Sequence, residues 1–406
     1  MDILIFTEAL YPHGSGAELA TYLYAKLLGE KGVNVVVVTN RFYGERETEK
    51  KRNLLIYRLP ISRGSEVSKY STLLRTNLLF STRIDKLLKK TDLVYVPRFW
   101  YSSIPLAKTY RKPVIVHLHD YIPICPLSNI YDWRHSRTCD ARQSSCVSCI
   151  CSFELGNRKA LSRTLASAVL NSTIGRFWKT CVRMSDAVIC VSKAHKDIMM
   201  KSDASIGKKI VSIYNPLPEA AYIDIANRGL GYFGGPNCLK GFKVLYDAAT
   251  EIKKRNRSTE IHATNFFNLS HPFLSRLEEN GFTLYGRLNA SEFLKLYSRI
   301  RCVVVPSIWP ETFSYAAVEA LLHGRLVVAS NIGALPEVTS GCSGVFLFTP
   351  QNSAQLADAL IHVESLNREN VIDMGISDRE TLMRKFDNEK TIHQFLELCT
   401  KTSENN

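Results

Sequence analysis

The stretch WPETFSYAAVEALLHGR, from Trp309 to Arg325, sets Glu311 and Glu319 eight positions apart across a loop that runs into a helix. An apolar run, Cys302 to Val305, precedes it and is closed by Pro306, so the run reads as a buried strand. Tyr315 to Leu322 are residues that favour a helix, and Gly324 stands where a helix is commonly terminated. A further strand-like run, Leu326 to Ala329, follows. Strand, polar loop, helix and strand form the unit with which α/β proteins hold phosphates. The unbonded amide N–H groups at the helix start face outward and carry partial positive charge. Glu311 is then expected in the loop beside the anion site, and Glu319 about one to two turns into the helix. Two carboxylates flanking an anion site suit a ligand with hydroxyls on either side of a phosphate. A nucleotide sugar has that layout.

The same alternation extends outward in both directions. Strand candidates in the first half are Ile3–Phe6, Val35–Val38, Leu54–Leu59, Leu93–Val96, Val114–Leu118 and Ala187–Val191. In the second half they are Leu230–Gly234, Glu260–Ala263, Phe282–Tyr285, Cys302–Val305, Leu326–Ala329 and Val345–Phe348. Short apolar strands separated by helical patterns predict parallel sheets covered on both faces. Two such series, divided near residues 200–228, predict two doubly wound, Rossmann-like α/β domains. We place the first at 1–205, with a cysteine-rich insertion at about 121–155, and the second at 206–380. Residues 381–406 form a helical tail, marked by Leu382, Phe386, Ile392, Phe395 and Leu398. Ligands of such sheets bind at the carboxyl ends of the strands, so facing domains are expected to enclose a cleft.

A net charge of +14 implies attraction to anions, whether phosphorylated small molecules, anionic lipid or nucleic acid. The aromatic residues are not interleaved with the basic ones as RNA binding requires, and no DNA-binding motif is present, which argues against nucleic acid. No apolar run is long enough for a membrane span, and the acidic residue Asp2 with no basic n-region makes MDILIFTEALYP a poor signal peptide. A cytoplasmic location is expected.

After the first strand, Tyr11-Pro-His-Gly14-Ser-Gly16-Ala-Glu18 supplies two glycines that allow close backbone approach to a ligand. Leu19 breaks the dinucleotide pattern GxGxxG/A, so a nicotinamide cofactor is not expected. His119-Asp120 follows the strand Val114–Leu118, where an imidazole is placed for hydrogen bonding or proton handling, whereas His117 lies within the strand and reads as core. Gly234-Gly235-Pro-Asn-Cys-Leu-Lys240-Gly241 follows the first strand of the second half; a flexible backbone with one Lys suits a diphosphate. Asn331-Ile-Gly333-Ala-Leu-Pro-Glu337 follows another strand end. Each motif also has an ordinary reading: a tight turn for the first glycine loop, a structural histidine for His119, a solvent loop for 234–241 and a plain connection for 331–337.

Taken in order, Lys240-Gly241, the Glu311/Glu319 pair with its seven-residue spacer and Gly333…Glu337 resemble the retaining glycosyltransferases of family 4. The N-terminal glycine loop, His119-Asp120 and Tyr214-Asn215-Pro216 match as well, so the resemblance covers roughly residues 1–395. It implies the GT-B fold, two Rossmann-like domains with the tail helix crossing back to the first. It implies that Lys240 contacts the donor diphosphate, Glu319 the ribose and Glu311 the sugar hydroxyls. The amides around Phe313–Tyr315 meet phosphate or sugar, His119 approaches the sugar, and Gly14, Gly16, Gly234, Gly235 and Gly333 line the donor. The catalytic set is thus His119, Lys240 and Glu311, with no catalytic metal. The activity implied is retaining transfer of a hexose from a nucleoside-diphosphate sugar to a hydroxyl of a glycan, glycolipid or lipid-linked saccharide. A degenerate nucleotide-sugar binding protein, or an epimerase or phosphorylase of the same fold, is the alternative. Two departures stand out. Gly235 occupies the place where the family usually has Arg, and Thr312-Phe313-Ser314 stands for the frequent Gly-Phe-Gly, with hydroxyls that can cap the helix.

Five cysteines fall between Cys125 and Cys151, including the CxxC pair Cys146 and Cys149. Cys125, Cys139, Cys146 and Cys149 are candidates for a structural zinc site, for disulfides, or for unlinked thiols. Some family members resemble this chain in carrying His-Asp-Tyr, Cys-Pro and then a cysteine-rich loop. The segments Leu73–Lys90 and Arg158–Arg183 mix apolar and basic residues. Both are candidates for lying on an anionic membrane at its inner face, and both also read as ordinary helices with a solvated basic side.

Overall fold

The apolar runs form the strands of two α/β units in a computed structural model that describes residues 1–60, 81–140, 146–156, 160–225, 229–264 and 271–404. One unit comprises Met1–Pro216 and Asp387–Asn406, the other Leu217–Phe386. In the first unit the strands are β1 (Asp2–Phe6), β2 (Asn34–Asn40), β3 (Thr48–Lys51), β4 (Leu54–Leu59), β5 (Leu93–Val96) and β6 (Val114–Leu118). A small antiparallel hairpin, β7 (Tyr131–Asp132) and β8 (Arg137–Thr138), precedes β9 (Ala187–Cys190) and β10 (Ile210–Ser212). The large sheet runs β10-β9-β6-β5-β1-β2-β4-β3, parallel throughout except for β3 on β4. β5 and β6 are buried at every position, as continuous apolar strands covered on both faces must be.

The order reverses between β1 and β5. Chain crossovers leave these two strands towards opposite edges, and their carboxyl ends form the crevice in which doubly wound sheets bind ligands. β3 was not expected: its sequence TEKK has no apolar residue, and it survives as a short charged edge strand. β10 carries the first sheet past the boundary expected at 205, since Ile210–Ser212 pair with β9 and the Tyr24 hydroxyl donates to the Tyr214 carbonyl at 2.9 Å.

The second unit repeats the design with β11 (Gly229–Tyr232), β12 (Ile261–Ala263), β13 (Phe282–Leu284), β14 (Ile300–Val305), β15 (Leu326–Ser330) and β16 (Val345–Phe348). Its order is β13-β12-β11-β14-β15-β16, all parallel, with the reversal between β11 and β14. The helix Arg368–Lys385 stays with this unit beyond the expected limit at 380; the buried Asp378 accepts the N–H groups of Ser343 at 2.6 Å and Gly344 at 2.7 Å. The final helix, Asn388–Glu404, returns to the first unit. Its Ile392, Phe395 and Cys399 join the core around Tyr24 and Tyr95, with the Phe395 ring 5.1 Å from each tyrosine ring.

Candidate functional site

In the second unit, the loops after β11 and β14 stand at the switch point. The Ile308 N–H donates to the Leu239 carbonyl at 2.9 Å and ties them together. Gly241 has φ +75°, and a Cβ there would lie 1.7 Å from the Pro306 carbonyl oxygen, so only glycine permits this approach. It places the Lys240 Nζ 2.7 Å from Glu311 Oε1, to which the Ser307 hydroxyl also donates at 2.6 Å. Trp309 lies beneath the ammonium, 5.4 Å from it to the ring centre. Glu311 is buried, and its backbone carbonyl accepts the Ala334 N–H at 2.8 Å. Gly333 packs directly on Glu311, where a Cβ would meet the Glu311 carbonyl oxygen at 2.5 Å. Residues 71 and 22 positions from Glu311 thus converge on it.

Gly235 has φ +63° and its carbonyl accepts the Tyr232 hydroxyl at 2.9 Å. An arginine at this position would be strained in the left-handed region, so the departure at 235 follows the backbone. Gly234 is confined, with the Tyr232 hydroxyl 2.5 Å from the position of an added Cβ.

Of the two hydroxyls expected to be able to cap the helix Tyr315–Leu322, that of Ser314 does not do so. Ser314 stands at the N-cap with φ 73° and ψ 81° and makes no side-chain cap bond. A serine in this left-handed geometry stores about 1–2 kcal/mol of strain. Phe313 points inward onto Tyr315 and Phe386, so the backbone, not its ring, is what this position can offer a ligand.

Glu319 lies in the second turn of that helix, half-buried, and burial pushes its pKa up to about 7. The folded state therefore holds a proton that the unfolded chain loses at the usual carboxylate pKa. Stability from this group is full at acid pH and is lost as pH rises through about 7. Glu319→Gln is expected to stabilise the protein by about 3 kcal/mol at pH 8 and by almost nothing at pH 4. Melting curves at the two pH values test this; an equal gain at both would refute desolvation as the cause.

In the first unit, Gly14 has φ +89° and Gly16 opens the helix Gly16–Glu30. The Ser15 N–H donates to Glu18 Oε2 at 2.6 Å, so the glycine loop is fixed by the first turn of its own helix. Arg98 pairs with Glu18, and its Nε lies 3.8 Å from Glu8 Oε1 and 3.5 Å from Asp120 Oδ2. All three carboxylates are buried. Burial, opposed by Arg98, pushes Glu8 up to about 8, so it is neutral at pH 7. Against its burial, Arg98 and the Ser15 N–H hold Glu18 below the usual range. Burial, reinforced by Arg98, lowers the His119 pKa to about 3. His119 is therefore neutral near pH 7. His117 is a core residue, held by the Tyr95 hydroxyl 2.6 Å from Nδ1.

Glu8 and Arg98 escaped the sequence reading, and Glu18 was quoted there without a role. A signal existed: Glu8, Arg98 and Asp120 each stand two residues beyond the end of a strand, after Phe6, Val96 and Leu118.

Residues 14–220 match the profile of Glycosyltransferase Family 4, and residues 227–365 that of Glycosyl transferases group 1. The chain belongs to glycosyltransferase family 4. Its fold is GT-B: sucrose-phosphate synthase from Thermosynechococcus elongatus superposes with a TM-score of 0.73 at 14% identity, over 100% of both chains. Anabaena HepE, solved in complex with UDP and glucose, gives a TM-score of 0.62 at 16% identity over 98% of this chain and 99% of that one. In sequence, an uncharacterized 42.6 kDa protein in the cps region of Klebsiella pneumoniae is 22% identical over 84% of this chain and 87% of its own length. Glycogen synthase of Mycobacterium tuberculosis is 26% identical over 61% of this chain and 59% of its own length.

The glycosyltransferase places its remaining candidates in the first unit. Cys125, Cys139, Cys146 and Cys149 line one small cavity, and all eleven cysteines stand as thiols. Of the segment Leu73–Lys90, residues Leu73, Leu74, Arg75 and Leu78 lie outside the described residues, as does Arg158 of the second segment. The described part, Thr82–Lys90, buries Ile84 and Leu88 and pairs Lys89 with Asp85 at 2.8 Å, the pattern of an ordinary helix packed on a sheet. The helix Leu161–Met184 differs. It carries Arg163, Arg176, Lys179 and Arg183 and no acid, and exposes Leu161, Leu165, Val169 and Phe177. Among the described residues no helix is long and apolar enough to cross a membrane.

Proposed function

We propose that this glycosyltransferase moves a hexose from a nucleoside-diphosphate sugar to a hydroxyl of a glycan or lipid-linked saccharide, with retention of anomeric configuration and no catalytic metal. The observation that carries this reading is the Lys240–Glu311–Ser307 cluster at the switch point of the second sheet. Lys240 has three N–H donors and spends one on Glu311, which leaves two for diphosphate oxygens. The amides at the start of the helix Tyr315–Leu322 add partial positive charge where the leaving group gathers negative charge. Glu319, ionised above about pH 7, accepts from the ribose hydroxyls, and Glu311 from those of the sugar. Chemistry then runs by front-face displacement. The bond from the anomeric carbon to the diphosphate oxygen breaks as an oxocarbenium-like state forms. The departing oxygen takes the proton of the acceptor hydroxyl, and the new glycosidic bond forms on the same face. Neutral His119 is suited to hydrogen-bond the sugar. The UDP complexes of HepE and the likeness to glycogen synthase support a nucleotide donor and a saccharide acceptor. A cytoplasmic enzyme at the inner face of an anionic membrane fits the apolar, acid-free outer side of the helix Leu161–Met184.

The test begins with nucleotide sugars screened for thermal stabilisation. The donor found is then supplied with saccharide acceptors, and the product's anomeric configuration is read by NMR. Retention is expected; inversion defeats the mechanism, and tight donor binding without turnover points to a binding protein. Flotation with anionic vesicles at low salt is expected to carry the protein upward, and its absence removes the membrane from the proposal.

A further inference from the structure

A cavity of about 260 Å³ lies between residues 122–126 and the helix Leu161–Met184, just under the roughly 300 Å³ at which small-molecule sites begin. That size suits one end of a ligand. Gly175 lets the helix come close to the loop, since an added Cβ would stand 3.3 Å from the Pro126 side chain. Ser172, Arg176 and Lys179 line the cavity from the helix, and no acidic side chain among the described residues does. The Ser172 hydroxyl is buried without a hydrogen-bond partner, a cost that a ligand can remove. Arg176 is exposed and enters no ion pair among the described residues, so its guanidinium donors are uncommitted. Lys179 shares Asp203, at 3.4 Å, with Arg183, whose Nε and Nη2 donate to that carboxylate at 3.1 and 3.2 Å. Lys179 can therefore turn to an anion without leaving Asp203 unpaired. A solvated basic face accounts for two cations, but not for a cavity beside them with an orphaned hydroxyl in its wall.

The same stripe of the helix continues away from the cavity. Leu161, Leu165, Val169, Ser172, Arg176 and Lys179 follow one another at steps of four, four, three, four and three residues, which keeps all six on one side. The first three are apolar, more than half exposed, and extend about 12 Å along the helix axis. Val147 of the helix Cys146–Gly156 is also exposed and lines the cavity, which widens the apolar side. Cys146 lines it too, but as the side chains stand no group of three or more His, Cys, Asp or Glu among the described residues is arranged to hold a metal ion. In the other direction residues 122–126 lead back to His119-Asp120, and the Ile122 N–H donates to Asp120 Oδ1 at 2.9 Å. Apolar stripe, basic cavity and the loop of His119 follow in the order of a lipid tail, a phosphoryl head and a sugar.

We propose that this cavity holds the phosphoryl head of a lipid-linked saccharide acceptor. Arg176, Lys179 and Ser172 are its donors, and the lipid lies along Leu161, Leu165 and Val169. The site rests on the transferase reading, which supplies an acceptor, and narrows that acceptor from any glycan to one carried on a lipid phosphate. A bare anionic bilayer would be attracted by every cation of the helix alike, through long-range charge. A head seated in the cavity is held by the two cations that line it and is indifferent to the others.

Geranyl diphosphate is a soluble probe with both ends of such a ligand, and calorimetric titration into the full chain reads its binding. Inorganic pyrophosphate, which lacks the tail, is expected to bind about tenfold more weakly or worse. Arg176→Gln should weaken geranyl diphosphate about tenfold, and adding Lys179→Gln about tenfold more, the worth of one charge-assisted hydrogen bond each. Arg163→Gln removes the same charge from the same helix outside the cavity and should leave binding unchanged. Equal weakening by Arg163→Gln and Arg176→Gln means a diffuse basic face. Pyrophosphate binding as tightly as geranyl diphosphate means a site for free phosphate. Loss of binding in Lys240→Ala but not in Arg176→Gln puts the probe in the donor site. Each of these, or no binding by the wild type, overturns the proposal. Stabilisation by nucleotide sugars is read in parallel: its absence in the wild type defeats the transferase reading, whereas its presence with no effect of Arg176→Gln on geranyl diphosphate defeats the acceptor site alone.

Discussion

Replacing Lys240 with alanine is expected to slow sugar transfer by about 10²–10³-fold, the loss typical when one preorganised donor to a developing oxyanion is removed. The leaving diphosphate gains charge as its bond to the sugar breaks, and Lys240 is a full cation held in place before that happens. Its geometry is set by the backbone contact of Gly241 with Pro306 and by the Glu311 carboxylate at 2.7 Å. A mobile surface lysine would pay orientation entropy at the moment of reaction; this one does not. The side chain is 41% exposed, so its ion pair contributes little to folding, about 1 kcal/mol or less, and the variant should melt close to wild type. Steady-state kinetics separate the cases. A fall in kcat with an intact melting temperature fits transition-state stabilisation, a rise in KM alone means Lys240 only holds the donor, and a wild-type rate in a folded variant sinks the assignment.

Most of the frame was legible because parallel strands buried on both faces leave continuous apolar runs. Leu54–Leu59, Leu93–Val96, Val114–Leu118 and Val345–Phe348 begin and end where the runs do. The helix Tyr315–Leu322 was equally plain from its composition. Edge elements were not: β3 is charged and β10 has three residues, so neither leaves a periodic trace. In the second unit the site could be read because each motif follows a strand and carries its own glycine. Lys240 and Glu311 were named from sequence, but the Ser307 hydroxyl that completes the carboxylate's bonding was not. Backbone conformation was the least visible layer. Nothing in Thr312-Phe313-Ser314 announces that Ser314 adopts φ 73°, since serine ordinarily avoids that region.

The Arg98 cluster was hidden for a different reason: Glu8 and Arg98 are brought together by strand order, which sequence does not encode locally. Its energetic weight makes the second large prediction. Arg98→Met should destabilise the protein by about 3–5 kcal/mol, because it leaves the buried Glu18 and Asp120 carboxylates without their cation. A loss of that size lowers the melting temperature by on the order of 10 °C. Methionine keeps much of the side-chain volume, so a cavity does not account for it. The pH dependence identifies the cause. In the wild type Arg98 holds Glu18 below its usual range, a contribution present above the unfolded pKa and lost as pH falls through the folded one. In the variant the buried Glu18 carboxylate, without the Arg98 cation, ionises less readily than in the unfolded chain, so its penalty is full at pH 8 and fades towards pH 4. The gap between the two proteins should therefore close on acidification, and Glu18→Gln should recover part of the loss in the Arg98→Met background while costing stability alone. A gap that stays constant from pH 8 to pH 4 would instead assign Arg98 a packing role, and the Glu18 carboxylate would have to be held ionised by something other than this guanidinium.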